Sequence, residues 1–408
     1  MTATPLRLGD PNAFLDGVPH RGLAELAATE PVSWQPLDDG GGFWAVLRHA
    51  DVVTVARDPA RFSASKGGVV LEDLDAESLE MMRGMLLAMD PPRHQTYRRP
   101  IADSFRASVI SGLEGQIRDQ CRAILADAAE RREVEFVHEV TAELPTRVMG
   151  QLMGLPEADW SRLHDLAERQ TSGQDPDLVP PGETPDFSAS IEMAMYAIEF
   201  ATERRAATAA GAEPPADLTT LILEGDFGGT TMSELDFGSF FVQLVTAGND
   251  TTTTMLSSGL LALLDHPDQF VELRDDPSRI AGAVEEILRW ANPLHYFRRT
   301  ATEDTELGGV AIAEGDKVAM YYTSANRDPA VFDDPDRFDI GRSPNPHLSF
   351  GIAQHFCLGS HLARLEGRVF FEELLATFPT IEAAGEPVRL RSNLNNSYKR
   401  VPVRLIAG

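Results

Sequence analysis

From about Arg98 to Leu264 the chain carries apolar residues at three- and four-residue spacing almost without a break. That period belongs to helices packed on one face, so the chain is committed to a mainly α fold. Ahead of the C-terminal tail, strand-like patterning is confined to two places. Phe43-Trp44-Ala45-Val46-Leu47 precedes a helical start at His49-Ala50-Asp51, and Tyr296 to Tyr322 contains the turns Leu307-Gly308-Gly309 and Glu314-Gly315-Asp316. A last helix over about Ser360 to Phe378 leads into a short β-like tail. The Pro-, Gly- and Asp-rich stretch Ser172 to Asp186 and the shorter Ala209 to Pro215 read as internal loops, because helical patterning resumes after each. Residues 1–408 therefore read as one large domain, mostly α with a small β region.

Composition narrows the function. Against 36 Lys and Arg stand 63 Asp and Glu, a formal charge of −27, which argues against sequence-independent binding to nucleic acid. Two cysteines, Cys121 and Cys357, exclude a disulfide framework and a Cys₄ zinc module. The N-terminus lacks the apolar core of a signal peptide, and the most apolar stretch, Phe237 to Gly248, is well short of the roughly 20 residues of a spanning helix. The expectation is a cytoplasmic protein with no membrane insertion.

Three segments carry chemistry. The first, F-G-I-A-Q-H-F-C-L-G from Phe350 to Gly359, places Cys357 just ahead of a helix marked by Leu362, Leu365 and Val369. A helix N-terminus stabilises a thiolate, and glycines on both sides let a flat ligand approach the backbone. An isolated cysteine is more often a small buried hydrophobe. The second is A-V-E-E-I-L-R-W from Ala283 to Trp290, where Glu286 and Arg289 stand three apart; alone, such a pair is an ordinary surface salt bridge. The third, L-V-T-A-G-N-D-T-T-T-T from Leu244 to Thr254, sets polar residues in a helix whose Phe237, Phe240, Phe241, Leu244 and Val245 mark it as deeply buried. Such a conflict between local preference and context marks either a functional site or a polar contact between helices.

In this order and at this spacing, the segments resemble the cytochrome P450 family, over about Leu8 to Val403. The resemblance implies the prism-like P450 fold, heme b held by an axial Cys357 thiolate, and a loop in which Phe350, Gly351, His355 and Gly359, followed by Ala363, contact the cofactor. Ala353 departs from the glycine usual there. Glu286 and Arg289 match the pair that supports folding and heme retention. Ala247, Gly248, Asp250 and Thr251 match the oxygen-activation motif: Gly248 leaves space over the iron, Thr251 bonds back to a carbonyl one turn earlier, and Asp250 and Thr251 handle the protons consumed in O–O cleavage. His94, Arg98, Arg299 and His355 match the partners of the heme propionates.

The implied reaction inserts one atom of O₂ into a hydrophobic small molecule, with electrons from a ferredoxin and its NAD(P)H-dependent reductase. A peroxygenase using H₂O₂ and a non-catalytic heme sensor are the competing readings. Val70, Met85, Leu86, Val245, Leu294, His295, Phe297 and Asn396 are the candidate substrate contacts, mostly apolar, and the motif texture is closest to members oxidising sterols, terpenoids or branched lipids. Arg99, Arg106, Arg364 and Arg368 are the candidate docking face for the ferredoxin.

Overall fold

The computed structural model describes residues 6–38, 40–178 and 188–407; residues 179–186 of the Ser172 to Asp186 loop lie outside them. The chain is mostly helical, with small sheets, as the periodicity requires. It gathers into two compact units, each assembled from three separate segments. One comprises Met1–Leu79, Ser258–Cys357 and Pro387–Lys399; the other comprises Glu80–Ser257, Leu358–Glu386 and Arg400–Gly408.

The first unit holds a five-stranded sheet in the order Val32–Pro36, Gly42–Val46, Lys317–Tyr321, Tyr296–Ala301, Phe62–Ser63. Its inner strands are apolar on both faces. Val46, Val318 and Met320 enter one hydrophobic cluster with Val52, Val55 and Phe62, while Phe43, Ala45, Ala319 and Tyr321 enter another with Leu8, Phe14 and Tyr296. A strand covered on both sides reads as a continuous apolar run, which is how these segments stand in the sequence. The two expected turns are present, with Gly308, Gly309 and Gly315 at φ of +58°, +82° and +91°. Helix resumes sooner than expected, at Tyr322–Ala325.

Glu286 and Arg289 lie in the helix Ile280–Ala291 and are both fully buried, which overturns the surface-pair reading. Arg289 grips the carboxylate with two bonds, Nε to Oε2 at 2.8 Å and Nη2 to Oε1 at 2.7 Å. Its remaining N–H groups reach the carbonyls of Asn326 (3.0 Å), Pro335 (2.8 Å) and Arg337 (3.0 Å). Glu286 in turn accepts from Arg342 Nε, Asn345 Nδ2 and the Asp339 amide. One ion pair thus gathers the irregular segment from 326 to 345 onto a single helix. The helix ends where Asn292 turns left-handed, φ +38°.

In the second unit the helix Glu114–Arg131 packs on the helix Ser360–Thr377 through a charged lattice. Arg118 reaches Glu114, Glu372 and Glu373, and Arg368 reaches Glu114 and Glu372. The near-continuous helix expected here is broken by the strand Glu133–Glu135, which pairs with Pro402–Ile406, itself paired with Thr380–Ala383. Three residues give too little alternation to register as a strand; the pairing with a segment almost 270 positions away makes it one. The helix Glu234–Asp265 runs 32 residues, about 48 Å at 1.5 Å per residue. Among the described residues, no helix is long and apolar enough to cross a membrane.

Two stability outcomes follow. Glu286→Gln or Arg289→Lys strands the partner charge without its matched fork and should lower unfolding stability by about 3–5 kcal/mol, read by denaturant titration. Ala353 holds φ +59°, a left-handed conformation that costs a non-glycine residue about 1–2 kcal/mol. Ala353→Gly should therefore stabilise by up to about 1 kcal/mol once the greater freedom of the unfolded glycine is subtracted; an unchanged or lower midpoint would contradict the strain.

Candidate functional site

The loop before Cys357 is shaped by backbone bonds and by the network beneath it. Asn326 accepts from the Leu348 amide at 2.7 Å and donates to Ser349 Oγ at 2.9 Å, and Ser349 Oγ donates to the Leu288 carbonyl at 2.7 Å. The segment therefore leaves the Glu286–Arg289 helix in a set direction. Gly351, at φ +66°, donates to the Leu348 carbonyl (2.8 Å), residues Ala353–His355 form a short helical turn, and the Cys357 amide closes on the Phe350 carbonyl at 2.8 Å. Phe350 is buried beside the exposed ring of Phe356, with centroids 6.3 Å apart. His355 is half-buried, and Arg299 is buried on its strand with Nη1 donating to the Arg298 carbonyl at 2.8 Å.

The two thiols differ in kind. Cys357 is exposed at the end of this loop, three residues before the helix that starts at Ser360. Cys121 is buried on its helix, where desolvation pushes its thiol far above the usual range. A metal-binding thiolate at neutral pH belongs to the first kind.

On the helix Glu234–Asp265, Thr251 Oγ1 donates to the Ala247 carbonyl at 2.8 Å, the one-turn-back bond that the resemblance implied. Asn249 Nδ2 does the same to Val245, also at 2.8 Å. Ala247 is exposed and Thr251 half-buried, although Val245, Asn249 and Thr252 beside them are buried, so this apolar helix presents a short open strip of small side chains. Asp250 accepts a hydrogen bond from Thr171 Oγ1, yet burial raises its pKa to about 7, with the negative charge of Glu168 adding to the shift. Gly248 is a point of close packing. A Cβ there would stand 2.7 Å from Met149 Sδ, so its lack of a side chain admits the neighbouring helix Glu143–Leu152.

The remaining expected contacts divide sharply. His94 is buried and Arg98 half-buried on the helix Arg93–Ala102, the helical spacing assumed for them. Gly359 and Ala363 are half-buried, and the Ala363 amide donates to the Gly359 carbonyl at 2.9 Å. Val70, Leu294 and Phe297 are half-buried, while Met85, Leu86 and Val245 are buried.

His295 and Asn396 are buried and bonded within the fold. His295 is fully buried, stacked on Phe14 at 4.3 Å with Nδ1 on Thr323 Oγ1 at 2.9 Å, and burial holds its pKa well below normal. Asn396 spends its amide on the carbonyls of Ala291 and Asn292 and on Arg389. The fold thus engages the Asn396 amide and His295 Nδ1, while His295 Nε2 is buried without a hydrogen-bond partner among the described residues.

Glu366, which the sequence reading passed over, is buried on the helix after Cys357. Its carboxyl meets the Thr252 hydroxyl, one oxygen has no hydrogen-bond partner, and burial raises its pKa to about 8. The available signal was an acid inside the stripe Leu362, Leu365, Val369.

An exposed thiol with aromatic rings beside it is a donor set that fits a heme. A sequence model of the family described as Cytochrome P450 matches residues 185–397. A Rhodococcus jostii protein named Steroid C26-monooxygenase is 36% identical over 404 residues, 97% of this chain and 83% of that protein. A Mycobacterium tuberculosis protein named Methyl-branched lipid omega-hydroxylase is also 36% identical, over 96% of this chain and 92% of its own length. A Mycobacterium marinum cytochrome P450 solved with pseudoionone superposes with a TM-score of 0.87 at 39% identity, covering 94% of each chain. With relatives this similar along nearly its whole length, the chain belongs to the cytochrome P450 family, the heme-thiolate monooxygenases.

Proposed function

We propose that the chain is a cytoplasmic, ferredoxin-dependent monooxygenase of a sterol, terpenoid or branched lipid, with Cys357 as the thiolate ligand of its heme. The names of the relatives and the apolar character of Val70, Met85, Leu86, Val245, Leu294 and Phe297 support the substrate class. Phe350, Gly351, Gly359 and Ala363 flank the thiolate, and His94, Arg98, Arg299 and His355 are the residues assigned to the propionates.

When bound, the heme supplies the dioxygen chemistry; the chain supplies protons, orientation and dryness. Thr251 Oγ1 is aimed by its bond to the Ala247 carbonyl. Asp250, raised to about 7, carries a proton through the lower half of the physiological range and can surrender it, which an ordinary aspartate cannot. That pairing of an oriented hydroxyl with a half-buried acid held near neutrality supports the reading, because a peroxide user or a sensor needs no such path.

The ferredoxin face requires revision within this proposal. Arg368 is held by Glu114 and Glu372, and Arg106 by Asp103 at 2.7 Å. Arg99 remains exposed, and Arg364 is half-buried.

Reduced protein under carbon monoxide should show the strongly red-shifted Soret band of a thiolate-ligated heme, and Cys357→Ser should lose it; retention of the band in that variant would move the ligand elsewhere. Asp250→Asn should cut product formation about 100-fold while NAD(P)H is still consumed and oxygen is released as hydrogen peroxide. Coupling in the wild type should fall as pH rises through about 7, where Asp250 loses its proton, and this limb should vanish in the variant. Turnover with hydrogen peroxide that equals turnover with ferredoxin identifies a peroxygenase instead. Absence of any oxygenated product across a sterol and lipid panel identifies a sensor.

A further inference from the structure

A second cluster of ligating groups lies in the same unit as Asp250 and takes no part in the chemistry above. His164 and Glu168 stand four apart on the helix Trp160–Thr171, so they share one face. His138 comes from the single π-helical turn Val137–Thr141. Such turns are rare and recur at functional sites, since the widened turn re-aims a side chain. One ligand atom from each of the three lies within 4.8 Å of the others, and His138 Nδ1 is 3.7 Å from Glu168 Oε1.

We propose that His138, His164 and Glu168 bind a divalent transition-metal ion, with zinc the best match, through two imidazole nitrogens and one carboxylate oxygen, leaving a fourth position to water. Two imidazoles and a carboxylate form a tetrahedral zinc set and exclude magnesium and calcium, which prefer all-oxygen shells.

Three further observations support a bound cation here. The His138 side chain is 39% exposed, which gives an ion a way in. Besides His138, the charged groups around His164 are the carboxylates Glu168, Asp165 and Glu143. His164 Nδ1 is buried without a hydrogen-bond partner among the described residues, an uncompensated polar atom of the kind a ligand satisfies.

The position has a consequence for the helix that carries it. The last turn of Trp160–Thr171 supplies Gln170, which accepts from Thr246 Oγ1 at 2.6 Å, and Thr171, which donates to Asp250. A metal joining this helix to the π turn would clamp the element that orients Asp250.

The test is equilibrium dialysis of the heme-loaded enzyme against buffered zinc, with zinc and iron both counted by atomic emission. The expected result is one zinc per iron, retained against millimolar magnesium. Affinity should fall about ten-fold or more in His138→Ala and in His164→Ala. Zinc should also raise the thermal midpoint of the wild type and leave both variants unmoved. Because His138 is the more exposed ligand, its variant reads the site even where His164→Ala unsettles the fold. Zinc binding of equal strength in the wild type and His138→Ala, or no zinc retained by the wild type at about 100 μM free metal, would overturn the site.

Discussion

The buried Glu286–Arg289 pair is the constraint from which the heme-binding half of this chain follows. Two charges taken out of water are tolerable only when every donor and lone pair is answered. Arg289 has five N–H donors in a rigid fork. Two go to Glu286 and the others to carbonyls at 326, 335 and 337. Those carbonyls belong to an irregular segment whose Phe332, Phe338 and Ile340 side chains are buried, so the ion pair and hydrophobic burial gather it together. Asn326, placed by this arrangement, then sets Leu348 and Ser349, and these start the loop that ends at Cys357. A hydrophobic pair could fill the same volume, but it would give the carbonyls nothing to converge on.

The helix Glu234–Asp265 solves a different problem. Its middle carries threonines, an asparagine and an aspartate where its flanks are apolar, and most of these side chains are answered separately, Thr253 Oγ1 being buried without a hydrogen-bond partner among the described residues. Asn249 and Thr251 bond back one turn, Thr246 and Asp250 bond to the end of the helix Trp160–Thr171, and Thr252 meets Glu366. Helix-breaking tendencies are thereby absorbed without a break in the ladder of backbone bonds. Gly248, in the same stretch, permits close approach of Met149. One short segment therefore combines packing against one neighbour with proton handling towards another.

How far the sequence exposed this depended on the range of the interaction. The Cys357 loop, the spacing of Asp250 and Thr251, and the expected Thr251 bond were legible because they are local. The strand Glu133–Glu135 was not, since it exists through pairing with the C-terminal tail. Nor were the fates of His295 and Asn396: their polar tips suggested substrate contact, and only the fold shows Thr323, Ala291 and Arg389 claiming them. The Glu286–Arg289 spacing was legible and its depth was not, because periodicity shows which residues face each other and leaves open what covers them. Glu366 falls between: an acid in an apolar stripe is visible in the sequence, but its elevated pKa depends on burial.

Net charge is where local and global readings separate most. The figure of −27 counts Asp250 and Glu366 as ionised, yet burial holds them at about 7 and about 8, so the interior is less charged than the composition implies. On the surface the arginines are equally misleading. Arg118, Arg122 and Arg368 are engaged by Glu114, Glu372 and Glu373, so a basic stripe in the sequence becomes a neutral lattice joining two helices. Such a lattice holds the helix after Cys357 in place and projects little field, because paired charges cancel within a Debye length of about 8 Å. For those residues the structural use of arginine precludes the steering use: an arginine fixed between two glutamates orients a helix and attracts no partner.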